Sequence, residues 1–172
     1  MPNDYIDHIL SQWGRERPDL DTSTMAIIGR LSRLTRHLER NTEETFSRFG
    51  LGSGGFDVLA ALRRAGKPYR LSPTELYSSL IVSSGAMTNR IDRLEENGLV
   101  SRAPDPHDRR GILVALTPKG RKLIDTAVNE HVLKEKELLK PLSASEQKEL
   151  ARLLRKLLIE FDAGPSEPRS SR

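Results

Sequence analysis

Four short hydrogen-bonding side chains, Ser83, Ser84, Thr88 and Asn89, crowd one stretch of this chain. Shortly downstream, Asp108-Arg109-Arg110 sets two guanidinium groups beside a carboxylate. Neither group has the make-up of a nucleophile with its base. Hydroxyls and an amide exchange hydrogen bonds with phosphates and with the edges of bases, and arginines pair with phosphate or enter regions of negative potential. Asp108 lies two residues before Arg110 and can orient its guanidinium. Chemistry of this kind recognises a polyanion and makes or breaks no covalent bond.

The elements that position these groups follow from periodicity and punctuation. Asp4 to Arg17 has a helical stripe of Tyr5, Ile6, Ile9, Leu10 and Trp13, ended by Pro18. A long helix follows, capped by Asp21 or Thr22, with Met25, Ile28, Leu31, Leu34, Leu38, Thr45, Phe46 and Phe49 on its apolar side. Gly50, Gly52, Gly54 and Gly55 break the chain, and a third helix is expected from Phe56 to Ala65. Pro68 to Leu71 reads as a short extended piece. Ser72-Pro73-Thr74-Glu75 is a capping box with Pro at the first helical position. The next helix opens at Ser83-Ser84-Gly85, buries Met87, Ile91 and Leu94, and stops at Asn97-Gly98.

Leu99 to Arg102 and Ile112 to Leu116 read as two strands around a polar loop, a hairpin with a charged tip. Thr117-Pro118 starts a helix to about Lys140, and the capping box Ser143 to Glu146 starts another with Leu150, Leu153, Leu154, Leu157, Leu158 and Phe161 at helical spacing. The expected fold is mainly α with a small antiparallel β wing: a winged helix-turn-helix between N- and C-terminal dimerisation helices. Residues 1–50 hold the N-terminal helices, 51–116 the winged lobe, 117–162 the C-terminal helices, and 163–172 a Pro-, Ser- and Arg-rich tail expected to be disordered.

This order places the second helix of the pair on an outer surface, where it fits the major groove of B-DNA. Its apolar residues account for one face, and Ser83, Ser84, Thr88 and Asn89 begin the other. An arginine at the wing tip fits a narrow minor groove. Taken alone, the tip is equally well a solvated charged turn.

Composition permits this reading. The net charge is +4, and 30% of the 172 residues are charged; the pI is about 9.6. With no cysteine, disulfides and thiol chemistry are excluded. The four histidines, His8, His37, His107 and His131, lack ligand spacing, so no metal or other cofactor is expected. No nucleotide-binding loop or nucleophile elbow occurs, so no enzymatic activity is expected. No apolar run approaches the ~20 residues of a membrane span, and Met1 to Leu10 has no signal-peptide pattern; a cytoplasmic protein is expected. Asp92, Glu95 and Glu96 suit pairs with neighbouring arginines or salt bridges to the wing. Lys119, Arg121 and Lys122 suit flanking phosphates or a solvated helix face.

The run NRIDRLEENGLVSRAPDPHDRRGILVALTPKG resembles the signature of the MarR family of bacterial transcription regulators, and the flanking helices fit the same pattern up to Asp162. The resemblance implies a homodimer with interleaved terminal helices and a palindromic double-stranded DNA operator. It implies that Ser83, Ser84, Thr88 and Asn89 face the major groove, and that Arg110, held by Asp108 and flanked by Arg109, enters the minor groove. The apolar stripes of the terminal helices favour a dimer on their own account, because a lobe of this size does not need both to close its core. The alternative is that they pack on each other within one chain. Two-fold symmetry would set half-sites ~10 base pairs apart.

QWGRERPDLD and the following IIGRLSRL resemble the urate-responsive (PecS-like) subgroup. That resemblance implies an anion pocket of Trp13, Asp57, Arg90 and Arg102. Urate is a flat, electron-rich monoanion that suits a Trp face, guanidinium partners and a carboxylate acceptor. Each residue also has a plainer role: Trp13 in a core, Asp57 as a helix cap paired with an Arg, Arg90 on phosphate, Arg102 on the wing surface. The expected function is therefore a repressor released from DNA by urate or a similar small anion. The alternative is an effector-independent architectural DNA binder, which needs no such pocket.

Overall fold

The computed structural model describes residues 2–80, 84–106, 108 and 111–163, with the side chains of 84–86 left aside. The described residues form seven helices and three short strands, in the order α1 (Tyr5–Glu16), α2 (Ser23–Ser47), α3 (Ser53–Arg64), β1 (Arg70–Leu71), α4 (Pro73–Leu80), α5 (Ser84–Glu96), β2 (Val100–Pro104), β3 (Ile112–Leu116), α6 (Pro118–Leu138) and α7 (Ala144–Asp162). Two compact units emerge, Met1–His131 and Val132–Arg172.

Helix ends follow their capping chemistry. The Asp4 carboxylate accepts from the backbone N–H groups of Ile6 and Asp7 at 2.8 and 3.0 Å, and Asp7 accepts from the Asp4 N–H at 2.9 Å. Arg30 of α2 then grips both carboxylates, at 2.8 Å to Asp4 and 2.6 Å to Asp7, and ties α1 to α2. The box at the start of α4 is closed by Ser72 and Glu75, and that of α7 by Ser143 and Glu146. Thr22 precedes α2 without a side-chain cap bond; Asp21 instead accepts from the Ser23 N–H at 2.9 Å.

Two expectations need correction. The third helix begins at Ser53 rather than Phe56, so Gly54 and Gly55 lie in its first turn and do not break the chain. The extended piece at Arg70–Leu71 is also a true strand. It pairs antiparallel with β3, Arg70 opposite Ala115, and makes the two-stranded wing a three-stranded sheet of order β1-β3-β2.

The core of the first unit lies where α3, α4, α5 and the sheet meet. Val58, Leu59, Leu62, Leu76, Val114 and Ile124 are fully buried there, and Met87, Ile91 and Leu94 supply the inner face of α5. Phe46 stacks on Phe56 at 3.8 Å, with the ring of His131 5.2 Å from each. The apolar residues of α2 ahead of Thr45 are largely uncovered: Ile28, Leu34 and Leu38 are 60%, 54% and 45% exposed. In the second unit, α7 has no buried residue, and Leu153, Leu157, Leu158 and Phe161 are all exposed.

Candidate nucleic-acid interface

Helix α5 has the two faces that a reading helix requires. Met87, Ile91 and Leu94 anchor it to the core, and the intervening Thr88 and Asn89 are exposed. Ser84 is its first residue. Of the remaining residues expected at the DNA, Ser83, Arg109 and Arg110 lie outside the described residues. Asp108 is exposed near the end of the wing. The backbone closes the hairpin there, with Asp105 N–H donating to Gly111 O and Gly111 N–H to Asp108 O, each at 2.9 Å.

The wing is bolted to α5 at its root. The Arg102 guanidinium of β2 donates to both Asp92 and Glu95 of α5, and the Arg102 backbone N–H donates to Glu95 at 2.9 Å. Burial works against the charge on Arg102, but the bonds from the two carboxylates outweigh it and raise its pKa above the ordinary guanidinium value. A second fastening lies at the end of α5. Thr117 donates to Gly98 O at 2.8 Å, and Lys119 donates to Asn97 O at 2.8 Å. Lys119 thus satisfies a carbonyl at a helix C-terminus, where a cation is favoured. A Cβ on Gly120 would stand 1.9 Å from Leu99 O, so only glycine lets α6 start this close to the wing.

The four residues expected to hold an anion are not all brought together. Arg90 and Asp57 are neighbours. Arg90 reaches from α5 to the first turn of α3 and lays its guanidinium against Gly54. Its Nη1 is buried and has no hydrogen-bond partner among the described residues. Asp57 lies one turn further along α3, half-buried, so it is a residue of the helix body and not the expected cap; the preceding cap position is Gly52. Burial pushes the Asp57 carboxyl up, and the charges of Arg90, Arg64 and His131 offset this only in part. Asp57 and His131 both line a cavity of about 490 Å³, whose walls include Thr42, Phe46 and Phe56. Arg102 stands apart, committed to Asp92 and Glu95. It lines a different cavity of about 410 Å³ with Tyr77, Thr88 and Ile91. Trp13 is 40% exposed on α1, which packs on α2.

Three participants have roles that their local sequence does not announce. Gly54 reads locally as a breaker, and its signal is a glycine pair in a turn that should favour helix formers. His131 has no ligand spacing and is placed by the two rings it meets. Gly120 stands in a helix start where nothing local demands a glycine.

A family profile described as MarR family matches residues 49–111, the span from α3 through the reading helix to the first wing strand and its loop. The transcriptional regulator PecS of Dickeya dadantii is 41% identical over 149 residues, covering 87% of this chain and 90% of that protein. A mutant of Escherichia coli MarR complexed with operator DNA superposes with a TM-score of 0.69 at 33% identity, over 80% of this chain and 97% of that one. BpsR of Bordetella bronchiseptica, whose structure concerns regulation of DNA binding by 6-hydroxynicotinic acid, superposes with a TM-score of 0.66 at 28% identity, over 74% of this chain and 89% of that one. With a reading helix anchored by Met87, Ile91 and Leu94 and a wing bolted to it through Arg102, the chain belongs to the MarR family and is a DNA-binding transcriptional regulator resembling PecS.

Proposed function

We propose that this regulator is a homodimeric repressor, released from a palindromic operator by a small flat anion such as urate. One observation carries the ligand reading: Arg90, on the helix that reads DNA, is turned inward beside Asp57 with a buried guanidinium nitrogen left unpaired. A buried unpaired donor costs about 1–3 kcal/mol, and an anion reaching it would recover that loss. A ligand bound there holds Arg90 away from DNA and stabilises a state in which α5 reads poorly. It acts only through its differential affinity for the two states.

In this reading Asp57 accepts from a ring N–H of the ligand, Arg90 pairs with its oxygens, and the Trp13 face closes the pocket. Arg102 joins them only on leaving Asp92 and Glu95. Ser83, Ser84, Thr88 and Asn89 meet the major groove, and Arg109, Arg110 and Asp108 meet the minor groove. The exposed apolar faces of α2 and α7 support a dimer, because patches of this kind seek a partner. The 6-hydroxynicotinic acid associated with BpsR is itself a flat aromatic acid, which supports a ligand of that class. Such a regulator works where the chromosome is, in the cytoplasm, and needs neither a cofactor nor a catalytic step.

The experiment is a fluorescence-anisotropy titration of urate into the complex of the protein with the intergenic DNA beside its own gene, at fixed salt. Urate in the micromolar to millimolar range should release the DNA, and Trp13→Phe should weaken the response. DNA binding indifferent to urate at every concentration would leave the effector-independent architectural reading in its place.

A further inference from the structure

We propose that Gly54 is a positioning residue of the reading head: its missing side chain is what lets Arg90 fold inward, away from DNA phosphate. A Cβ at Gly54 would lie 2.2 Å from Arg90 Nε, 2.3 Å from its Cζ and 2.8 Å from its Cδ. No such contact is tolerable, and no smaller residue exists. The atoms in the way belong to the far end of a flexible side chain and not to backbone. A methyl group at position 54 therefore evicts the guanidinium and leaves the helix intact.

The inward seat is poised rather than deep. Nη1 is buried there without a partner among the described residues. The guanidinium also lies against the first turn of α3, where the helix dipole is positive and disfavours a cation. Asp57 offers compensating charge but shares it with Arg64 and His131. Its own ionisation is disfavoured by burial. A small steric change is enough to tip such a balance. Gly55, the next residue, shows that the requirement is local: a Cβ there would meet only ordinary contacts, at 3.5 Å to Leu51 and 3.7 Å to Leu94.

Once evicted, Arg90 projects from α5 beside the exposed Asn89, on the helix that faces DNA. It becomes one more cation for phosphate. Gly54→Ala should therefore bind DNA more tightly and with a steeper salt dependence, by about 0.9 in the slope of log K against log salt for each added contact. The link to ligand rests on the function proposed above: if a ligand acts through inward Arg90, Gly54→Ala also loses its response.

The test compares four full-length proteins: wild type, Gly54→Ala, Arg90→Ala and the double variant. Alanine is a better helix former than glycine, so Gly54→Ala made in the Arg90→Ala background should raise Tm by about 2–4 °C. In the wild-type background the gain should vanish or reverse. The steeper salt slope should appear in Gly54→Ala and be absent from the double variant. Equal Tm shifts in both backgrounds, or a salt slope unchanged by Gly54→Ala, would overturn the proposal. Both readouts are made without ligand. If urate fails to release the wild type while the cycle behaves as stated, the ligand reading falls and the role of Gly54 stands.

Discussion

Replacing Arg102 with Met keeps the bulk of the side chain and removes the charge that joins the wing to the reading helix. Its side chain is 28% exposed, against 46% for Asp92 and 38% for Glu95. Fully buried charge-assisted bonds contribute about 1.5–3 kcal/mol each, and exposed ion pairs about 0.2–1. With both carboxylates more than a third exposed, the lower range applies, and the two pairs together are worth about 1 kcal/mol. Urea denaturation should show a reduced midpoint at unchanged slope. The Glu95→Gln variant isolates one pair, because the amide oxygen still accepts from the Arg102 backbone N–H while the charge and the second acceptor, which Arg102 Nη1 uses, are lost together. A double-mutant cycle between Arg102→Met and Glu95→Gln should give a coupling of about 0.5 kcal/mol, shrinking as salt is added. Operator affinity should fall as well, by less than about tenfold, since the loss cannot exceed the energy of the fastening. Additivity within about 0.3 kcal/mol would refute the ionic fastening and reduce Arg102 to a packing residue.

Gly120→Ala should cost about 3 kcal/mol in a thermal or urea melt, because the added methyl meets the Leu99 carbonyl, backbone that cannot step aside; a loss below about 1 kcal/mol would contradict the close approach. Asp57→Asn should stabilise the protein at neutral pH. The folded pKa of Asp57 is raised above its ordinary 3.8, so the wild type is most stable below that value and loses stability as pH rises through the folded pKa. Melts at pH 7 and near pH 4 should show the advantage of Asn shrinking as the medium is acidified; an advantage independent of pH would exclude ionisation as its source.

Much of the architecture is legible in the sequence because its signals are local. Ser72 to Glu75 and Ser143 to Glu146 carry their capping chemistry within four consecutive residues, and both boxes close. The stripe of Met87, Ile91 and Leu94 states which side of α5 is buried, and so which side carries Thr88 and Asn89. What escapes such reading depends on partners brought up by the fold. Arg70–Leu71 becomes a strand only because β3 offers it an edge. Lys119 reads as a surface cation until the end of α5 is set beside it. Asp92 and Glu95 read correctly as partners for the wing, but that Arg102, read as one of four pocket residues, is the arginine they hold emerges only when the turn after α5 folds β2 back.

Gly54 is the sharpest case, because there a local rule points the wrong way. Glycine in a helix loses stability relative to alanine, so a glycine pair reads as the end of an element. The cost is accepted inside the first turn of α3 because a guanidinium from α5 occupies the space a side chain would fill. A local weakness in one helix thus marks where another element must come close. At this position the element is the reading helix, and the group is a residue that both DNA phosphate and an anionic ligand could claim. At Gly120 the element brought close is the wing and the role is packing; at Gly54 it is a side chain of the reading helix. A variant that improves α3 as a helix should therefore change how the protein holds DNA and, on the function proposed above, weaken its response to ligand.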